Sequence, residues 1–177
     1  QVERCNEILK RLTLNPVEED EFIDKDINIR DYLHEIISSF KEISKKEFVF
    51  NFDQDSNPKK ISKSIEIVYG LRNFIGNANK FANNSIFINL KSDSEFTELT
   101  IEDDGNGYPR DIVSKIGEPY LKSNYSKDKS KEGLGLGLFI GKTLLEKNFA
   151  SVNCRNSKTR NGAEVVIRWK NKELFNI

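Results

Sequence analysis

Three polar residues, Asn73, Asn77 and Lys80, recur at a spacing that places them on one side of a helix. They form a stripe beside a second, apolar stripe that would pack against a core. The amide oxygen of Asn77 is a ligand that Mg²⁺ accepts together with waters and phosphate oxygens, and Lys80 can meet a phosphate as a point charge. A solvated helix flank explains the same pattern, so the stripe alone leaves both interpretations open. The apolar stripe contains Ile67, Leu71, Phe74, Ala78 and Phe81.

A second group of residues, Asp103 to Gly107, directly follows a strand predicted over Thr97 to Asp103. Period-two alternation places Asp103 on the same face as the aliphatic residues of that strand. Because burying an unpaired charge is costly, a carboxylate there needs a hydrogen-bond donor, and the amino group of adenine would be one. Gly105 and Gly107 would let the backbone turn sharply and approach a ligand. A plain Asp-Gly turn is the alternative.

A third group is rich in glycine and opens a predicted helix. It contains Gly133, Leu134, Gly135, Leu136, Gly137 and Leu138. Backbone N–H groups at such a helix N-terminus can cradle a phosphate. Two familiar nucleotide motifs do not fit: Leu138 stands where the dinucleotide fingerprint needs its third glycine, and Leu136 stands where a P-loop ending at Lys142 needs its first. We therefore interpret Lys142 as a solvated helix residue.

Hydrophobic periodicity predicts the elements that position these groups. We expect helices from Asn28 to about Ile43, from about Ser62 to Ala82 and from about Leu134 to Lys147. We expect strands at Glu47 to Asp53, Ile86 to Leu90, Thr97 to Asp103, Val152 to Asn156 and Ala163 to Trp169. The second and third strands should form one hairpin, and the last two should form another around Asn161-Gly162. Lys122 to Glu132 contains no aliphatic residue and predicts a mobile lid.

Composition excludes several classes of function. The formal net charge is +0, so the chain lacks the positive field of a non-specific nucleic-acid binder. The two cysteines, Cys5 and Cys154, show no disulfide or metal-site spacing, and with a single histidine a zinc site is not expected. No apolar run has the length of a membrane span or a secretion signal. We expect a cytoplasmic location for this part of the protein.

The chain divides by composition into three parts. Residues 1–13 have the apolar spacing of a short helix, which we interpret as the end of a longer one. Residues 14–27 are acidic, contain Pro16 and predict a linker. Residues 28–177 form the main domain.

In their order along the chain, the three groups resemble the N, G1 and G2 boxes of the histidine-kinase and GHKL ATPase superfamily, over about Asn28 to Trp169. The resemblance implies an α/β two-layer sandwich of the Bergerat type: a mixed five-stranded sheet covered on one face by three helices, with ATP held between the helices and a flexible lid. By this likeness Asn77 would hold Mg²⁺ and Asp103 would bind adenine. The remaining ATP-binding residues would be Asn73 and Lys80 near the phosphates, Gly105 and Gly107 beside the base, Gly133 to Leu138 at the lid hinge, and Tyr120 in the lid.

Within the superfamily, the chain is similar to the RegB/PrrB type of redox-responsive sensor kinase. The similar segments are Gly117 to Tyr120, Gly133 to Ile140, Gly162 to Trp169, and Gln1 to Cys5 with Ile8-Leu9, which fits the end of a dimerisation helix. This likeness makes Cys5 a candidate redox switch, although a packed apolar role fits it as well. Cys154 is expected in the core. His34 lacks the phosphoacceptor motif after it and is interpreted as a surface residue.

The likeness implies a histidine kinase that transfers the γ-phosphoryl group of ATP to a histidine outside this chain, so no catalytic base is assigned here. Its expected partners are ATP, a dimerisation and phosphoacceptor domain, and a response regulator. We expect the full-length protein to be a homodimer. Whether a segment outside this chain anchors it to a membrane stays open. Three rival functions stay open: a GHKL ATPase clamp, which carries glutamate where this chain has Asn73; an anti-sigma serine kinase; and a nucleotide-binding module without turnover.

Overall fold

The computed structural model describes residues 27–53, 60–61, 64–120 and 136–174. The strands of this part are β1 (Ile27–Asn28), β2 (Glu47–Phe52), β3 (Lys60–Ile61), β4 (Ser85–Ser92), β5 (Phe96–Asp103), β6 (Ser151–Asn156) and β7 (Ala163–Lys170). The helices are α1 (Ile29–Lys41), α2 (Ile65–Phe81), α3 (Arg110–Val113), α4 (Gly137–Lys147) and α5 (Asn171–Leu174). No helix among these residues is long and apolar enough to cross a membrane.

Five strands form one mixed sheet in the order β2-β4-β5-β7-β6. β2 and β4 are parallel, whereas the β4-β5, β5-β7 and β7-β6 pairs are antiparallel. Both predicted hairpins, and the mixed five-stranded sheet itself, are therefore confirmed. β1 and β3 make a separate two-stranded pair in which Ile27 lies opposite Ile61. Ile27, the last residue of the predicted linker, thus already belongs to a strand.

Three helices pack on one face of this sheet, as predicted. α1 contacts β2 and α2, α2 contacts β5 and α4, and α4 contacts β6. Alternate strand residues face the helices and are buried, including Ile86, Ile88, Leu99, Ile101, Val165, Ile167 and Trp169. The Trp169 indole is fully buried and donates its N–H to the carbonyl oxygen of Asn148 at 3.2 Å.

Side-chain caps set where the first two helices begin. Asn28 caps α1 by accepting a hydrogen bond from the Arg30 N–H at 2.9 Å. Ser64 caps α2 by accepting from the Glu66 N–H at 3.2 Å, so this helix starts at Ile65 rather than near Ser62. The described part of the third predicted helix starts at Gly137.

Two apolar residues lie where periodicity predicts packing but are exposed. Ile43 follows the end of α1 and is 79% exposed. Phe81 is the last residue of α2 and is 40% exposed, because the buried stripe ends one turn earlier at Ala78. The predicted helix over residues 1–13, most of the linker and the predicted lid lie outside the described residues.

Candidate functional site

Asp103 is the last residue of β5, and its carboxylate is almost completely buried, with 2% of the residue exposed. Its Oδ1 accepts hydrogen bonds from the N–H groups of Gly105 at 2.9 Å and Ala163 at 3.2 Å. Burial raises the pKa of Asp103 above the ordinary 3.8, although both hydrogen bonds oppose this effect. Both of these bonds end on Oδ1, which leaves Oδ2 as the oxygen that we expect to accept from a ligand. The predicted buried carboxylate is present.

Two glycines let other backbone segments approach this carboxylate. A Cβ on Gly105 would lie 2.3 Å from the carbonyl oxygen of Phe81 at the end of α2. A Cβ on Gly162, in the turn between β6 and β7, would lie 1.8 Å from the carbonyl oxygen of Asp103. Neither distance is compatible with a side chain. Gly162 was predicted only as a turn residue, so its contact with Asp103 is an addition to the site.

The loop after β5 is fixed to the end of α2 by a second carboxylate. Asp104 accepts from the N–H groups of Asn83 at 2.7 Å and Asn84 at 3.0 Å. Although burial opposes ionisation, these and other backbone N–H groups hold the pKa of Asp104 below its ordinary value. The Lys46 ammonium donates to the carbonyl oxygen of Ala82 at 2.6 Å and so holds the C-terminus of α2. The loop after β5 and the helix with the polar stripe are thereby held together.

Asn73, the first residue of the polar stripe of α2, lies beside the N-terminus of α4. The Asn73 side chain is half-buried, and its amide donates to the Tyr69 carbonyl oxygen at 2.8 Å. Its Oδ1 lies 3.5 Å from the place where a Cβ on Gly137 would be. Leu136 caps α4 without a side-chain hydrogen bond, and the first N–H groups of a helix have no partner within it. Asn73 and the Leu136 to Leu138 segment therefore meet at a helix end suited to an anion.

Two glycines set the distance between α2 and α4. A Cβ on Gly70 would lie 2.7 Å from Leu145 Cγ. A Cβ on Gly141 would lie 3.0 Å from Phe74 Cε2 and 3.1 Å from Asn73 Cβ. The two helices thus approach closely beside Asn73. The sequence did not predict this role of Gly141, because the contact joins residues far apart along the chain.

The described residues do not bring every predicted site residue together. Asn77 is half-buried one turn beyond Asn73, and Lys80 is exposed, with its ammonium 5.4 Å from the centre of the Phe81 ring. Tyr120 is 69% exposed and has a φ of 61°, in the left-handed region. Four predicted residues, Cys5, Gly133, Leu134 and Gly135, lie outside the described part of the chain.

The donor set limits what metal this site could hold. Within the described ranges, no group of three or more His, Cys, Asp or Glu side chains could bind a metal ion. A neutral amide oxygen on α2, that of Asn77, is a hard ligand, and Mg²⁺ commonly takes few protein ligands and completes its shell with water and phosphate oxygens. The residues therefore fit Mg²⁺ bound mainly through a phosphate, and they do not fit zinc.

Cys154 packs against the core and His34 lies on the surface. Cys154 is half-buried against the core, as predicted, and burial raises the pKa of its thiol to about 11, so it is a poor nucleophile. His34 is exposed on α1, with its ring edge against Phe50 at 4.8 Å between centroids. The interpretation of His34 as a surface residue is confirmed.

A family model described as histidine kinase-, DNA gyrase B- and HSP90-like ATPase matches residues 62–173, which is more than half of the chain. The chain belongs to this family. The match runs from α2 to α5 and includes Asn73, Asp103 and the N-terminus of α4. Membership in this ATPase family agrees with an ATP-binding domain.

Relatives from the family are sensor histidine kinases. The sensor histidine kinase RegB of Cereibacter sphaeroides is 36% identical over 108 residues, which are 58% of this chain and 23% of RegB. The sensor protein RstB of Escherichia coli K12 is 30% identical over 99 residues, which are 56% of this chain and 23% of RstB. The aligned part of the chain thus spans about a quarter of the length of these relatives.

Solved structures confirm the fold. The mycobacterial sensor histidine kinase MprB superposes with a TM-score of 0.69 at 19% identity, covering 82% of this chain and 97% of MprB. Full-length ShkA, solved in complex with AMPPNP, superposes with a TM-score of 0.66 at 20% identity, covering 84% of this chain and 32% of ShkA. The predicted α/β sandwich is the fold of histidine kinase catalytic domains.

Proposed function

We propose that this chain is the catalytic domain of a sensor histidine kinase that binds Mg²⁺-ATP and transfers the γ-phosphoryl group to a histidine outside the chain. The observation that carries the proposal is the buried Asp103 carboxylate beside a glycine loop, on a sheet whose neighbouring helices bring Asn73 to a helix N-terminus. ShkA supports it, since its structure was solved with AMPPNP, an ATP analogue.

At the base end, Asp103 would accept a hydrogen bond from the adenine amino group. A buried carboxylate with a raised pKa gains from an additional donor, because the donor replaces lost hydration. By the likeness to the family, Gly105 and Gly107 would shape the loop beside the base. This end of the site would distinguish adenine from guanine, whose corresponding edge carries a carbonyl oxygen.

At the phosphate end, Asn73 and the N–H groups at the start of α4 would contact phosphate oxygens, and Asn77 would be the protein ligand of Mg²⁺. Lys80 would approach the phosphates by extending from the exposed surface of α2. The bound Mg²⁺ would offset phosphate charge. Gly133 to Leu138 would hinge a lid that includes Tyr120.

The chemistry that these residues can perform is positioning and charge stabilisation rather than proton abstraction. Asn73 carries an amide, and an amide is a poor general base, so the chain should hydrolyse ATP slowly. This separates the proposal from an ATPase clamp with glutamate at that position. The attacking histidine and its base would lie in a dimerisation and phosphoacceptor domain, and a response regulator would receive the phosphoryl group from it.

Further proposals follow from the likeness to RegB, with which this chain shares only part of its length. The full-length protein would be a homodimer joined through a helix that ends within residues 1–13. Cys5 in that helix would be a redox-responsive residue. This part of the protein would lie in the cytoplasm.

A phosphotransfer assay in trans tests the proposal. The chain is mixed with Mg²⁺, ATP labelled at the γ-phosphate and a purified phosphoacceptor domain of a sensor histidine kinase. We expect acid-labile label on the acceptor, and none when the acceptor histidine is replaced by alanine. ATP turnover that is fast and independent of the acceptor would instead favour an ATPase. Nucleotide binding without either product would favour a binding module.

A further inference from the structure

Asn156, at the end of β6, holds the backbone of the Gly105 to Tyr108 loop through both the oxygen and the nitrogen of its side-chain amide. Its Oδ1 accepts from the N–H of Tyr108 at 2.6 Å, and its Nδ2 donates to the carbonyl oxygen of Tyr108 at 3.0 Å. One side chain thus satisfies both polar groups of a single peptide residue, as a neighbouring strand would. Tyr108 directly follows Gly107, the last glycine of the loop.

The same amide explains why position 107 has no side chain. Gly107 has a φ of 72°, which favours glycine. A Cβ there would also lie 2.7 Å from Asn156 Oδ1. The Asn156 side chain therefore occupies the space beside the loop, and the curve of the loop depends on what stands at position 156.

Asn156 is also tied to the carboxylate that would bind the base. It pairs with Ala163 in the β6-β7 ladder, and the Ala163 N–H donates to Asp103 Oδ1. The end of this hairpin thus contacts both Asp103 and the loop after it. Movement of Asn156 would change the distance between Asp103 and Gly107.

We propose that Asn156 is a positioning residue for nucleotide binding: it fixes the Gly105 to Tyr108 backbone relative to Asp103 and acts on the base through that loop. This inference rests on the proposed function, since it needs a nucleotide at Asp103. The sequence gives little indication of this role, because Asn156 lies in an ordinary strand and is 48 residues from Tyr108 along the chain.

The decisive variant is Asn156→Asp, which keeps the size and the acceptor but, when ionised, cannot donate to the Tyr108 carbonyl oxygen. We expect its ATP dissociation constant to rise about three- to tenfold over wild type at about pH 8. A protonated carboxyl group has one donor and one acceptor, as the amide does. The ratio of the two dissociation constants should therefore fall as the pH is lowered toward the carboxyl pKa.

The ratio to wild type is needed because other groups titrate or carry charge nearby. Asp103 on β5 titrates in both proteins, and the ion pair between Arg155 and Glu164 is present in both. The matched control is Asn153→Asp, an exposed position on the same strand, whose ratio should stay near one at every pH. Thermal unfolding of each variant without nucleotide checks that the fold is retained.

A ratio of one for Asn156→Asp at all pH values would overturn the inference, as would a raised ratio that does not change with pH. If Asn156→Asp fails to fold, Asn156→Ala replaces it, and the expected result is weakened ATP binding at every pH. Unchanged ATP binding by that variant would equally overturn the inference. Failure of the proposed function gives a different result from failure of this inference alone. If no nucleotide binds at Asp103, Asp103→Asn will have the same ATP affinity as wild type, whereas failure of the inference alone leaves Asp103→Asn weakened.

Discussion

Replacing Gly162 by alanine places a methyl group where the backbone of Asp103 already lies. The new Cβ would be 1.8 Å from the Asp103 carbonyl oxygen and 2.5 Å from Oδ1. Because ordinary contact starts at 3.4 Å, the turn between β6 and β7 must move by about 1.6 Å. Such a shift breaks the 3.2 Å hydrogen bond from the Ala163 N–H to Asp103.

The size of the effect follows from these two losses. Overpacking a close contact costs about 1–3 kcal/mol, and losing a hydrogen bond to a buried charged group costs about 1.5–3 kcal/mol. We therefore expect Gly162→Ala to lower the free energy of unfolding by about 2.5–6 kcal/mol, a large part of the roughly 5–15 kcal/mol of a typical domain. ATP binding should fall with it, because Asp103 loses one of the two donors that hold it.

Urea unfolding followed by the fluorescence of Trp169 measures this change, since Trp169 is the single tryptophan and is fully buried. Gly76→Ala is the matched control: its Cβ would lie 3.6 Å from the Phe40 ring, in ordinary contact. This control should raise the free energy of unfolding by about 0.5–1 kcal/mol, because alanine favours a helix over glycine. A Gly162→Ala variant within about 1 kcal/mol of wild type would refute the reasoning.

Gly141→Ala should weaken ATP binding, because its methyl group presses on Phe74 and Asn73 and moves α4. Overpacking of about 1–3 kcal/mol is offset by the roughly 0.5–1 kcal/mol that alanine gains over glycine in a helix, so the free energy of unfolding should fall by at most about 2.5 kcal/mol. Calorimetric titration and urea unfolding measure the two effects, and unchanged ATP affinity would contradict the close helix contact. ATP affinity should fall as the pH is lowered from about pH 8 to about pH 5, because the raised pKa of Asp103 lets it lose its charge above the usual aspartate range. The stability of the protein without nucleotide depends on pH in the opposite direction: Asp103 stabilises the fold at low pH, and this contribution is lost as the pH rises through its pKa in the folded state. The part of this pH dependence of ATP affinity that Asp103 causes should be absent from Asp103→Asn. Identical pH profiles of ATP affinity for wild type and Asp103→Asn would contradict this prediction.

Local patterns predicted the sheet, the burial of Asp103 and the helix that carries Asn73 and Asn77. Period-two alternation placed Asp103 on the buried face of β5, and helical periodicity placed Asn73 and Asn77 on one side of α2. The Asn161-Gly162 turn predicted the hairpin that closes the sheet. Each of these features depends on residues close together in sequence.

The parts that sequence reasoning missed depend on contacts between distant residues. Gly162 and Gly141 are needed because of what lies against them, and their neighbours Asp103 and Asn73 are not close in sequence. The hydrogen bonds of Asn156 follow from the pairing of β6 with the rest of the sheet. Phe81 looks apolar and periodic but lies at a helix end, where the packed stripe has already stopped.

The central claim is that ATP lies between α2 and α4 with its base at Asp103 and its Mg²⁺ at Asn77. One calorimetric titration tests it: ATP is added with and without Mg²⁺ to the wild type, Asp103→Asn and Asn77→Ala. We predict that Asp103→Asn loses affinity under both conditions and that Asn77→Ala loses the gain that Mg²⁺ gives the wild type. Wild-type affinity in Asp103→Asn, together with a full Mg²⁺ effect in Asn77→Ala, would contradict the account.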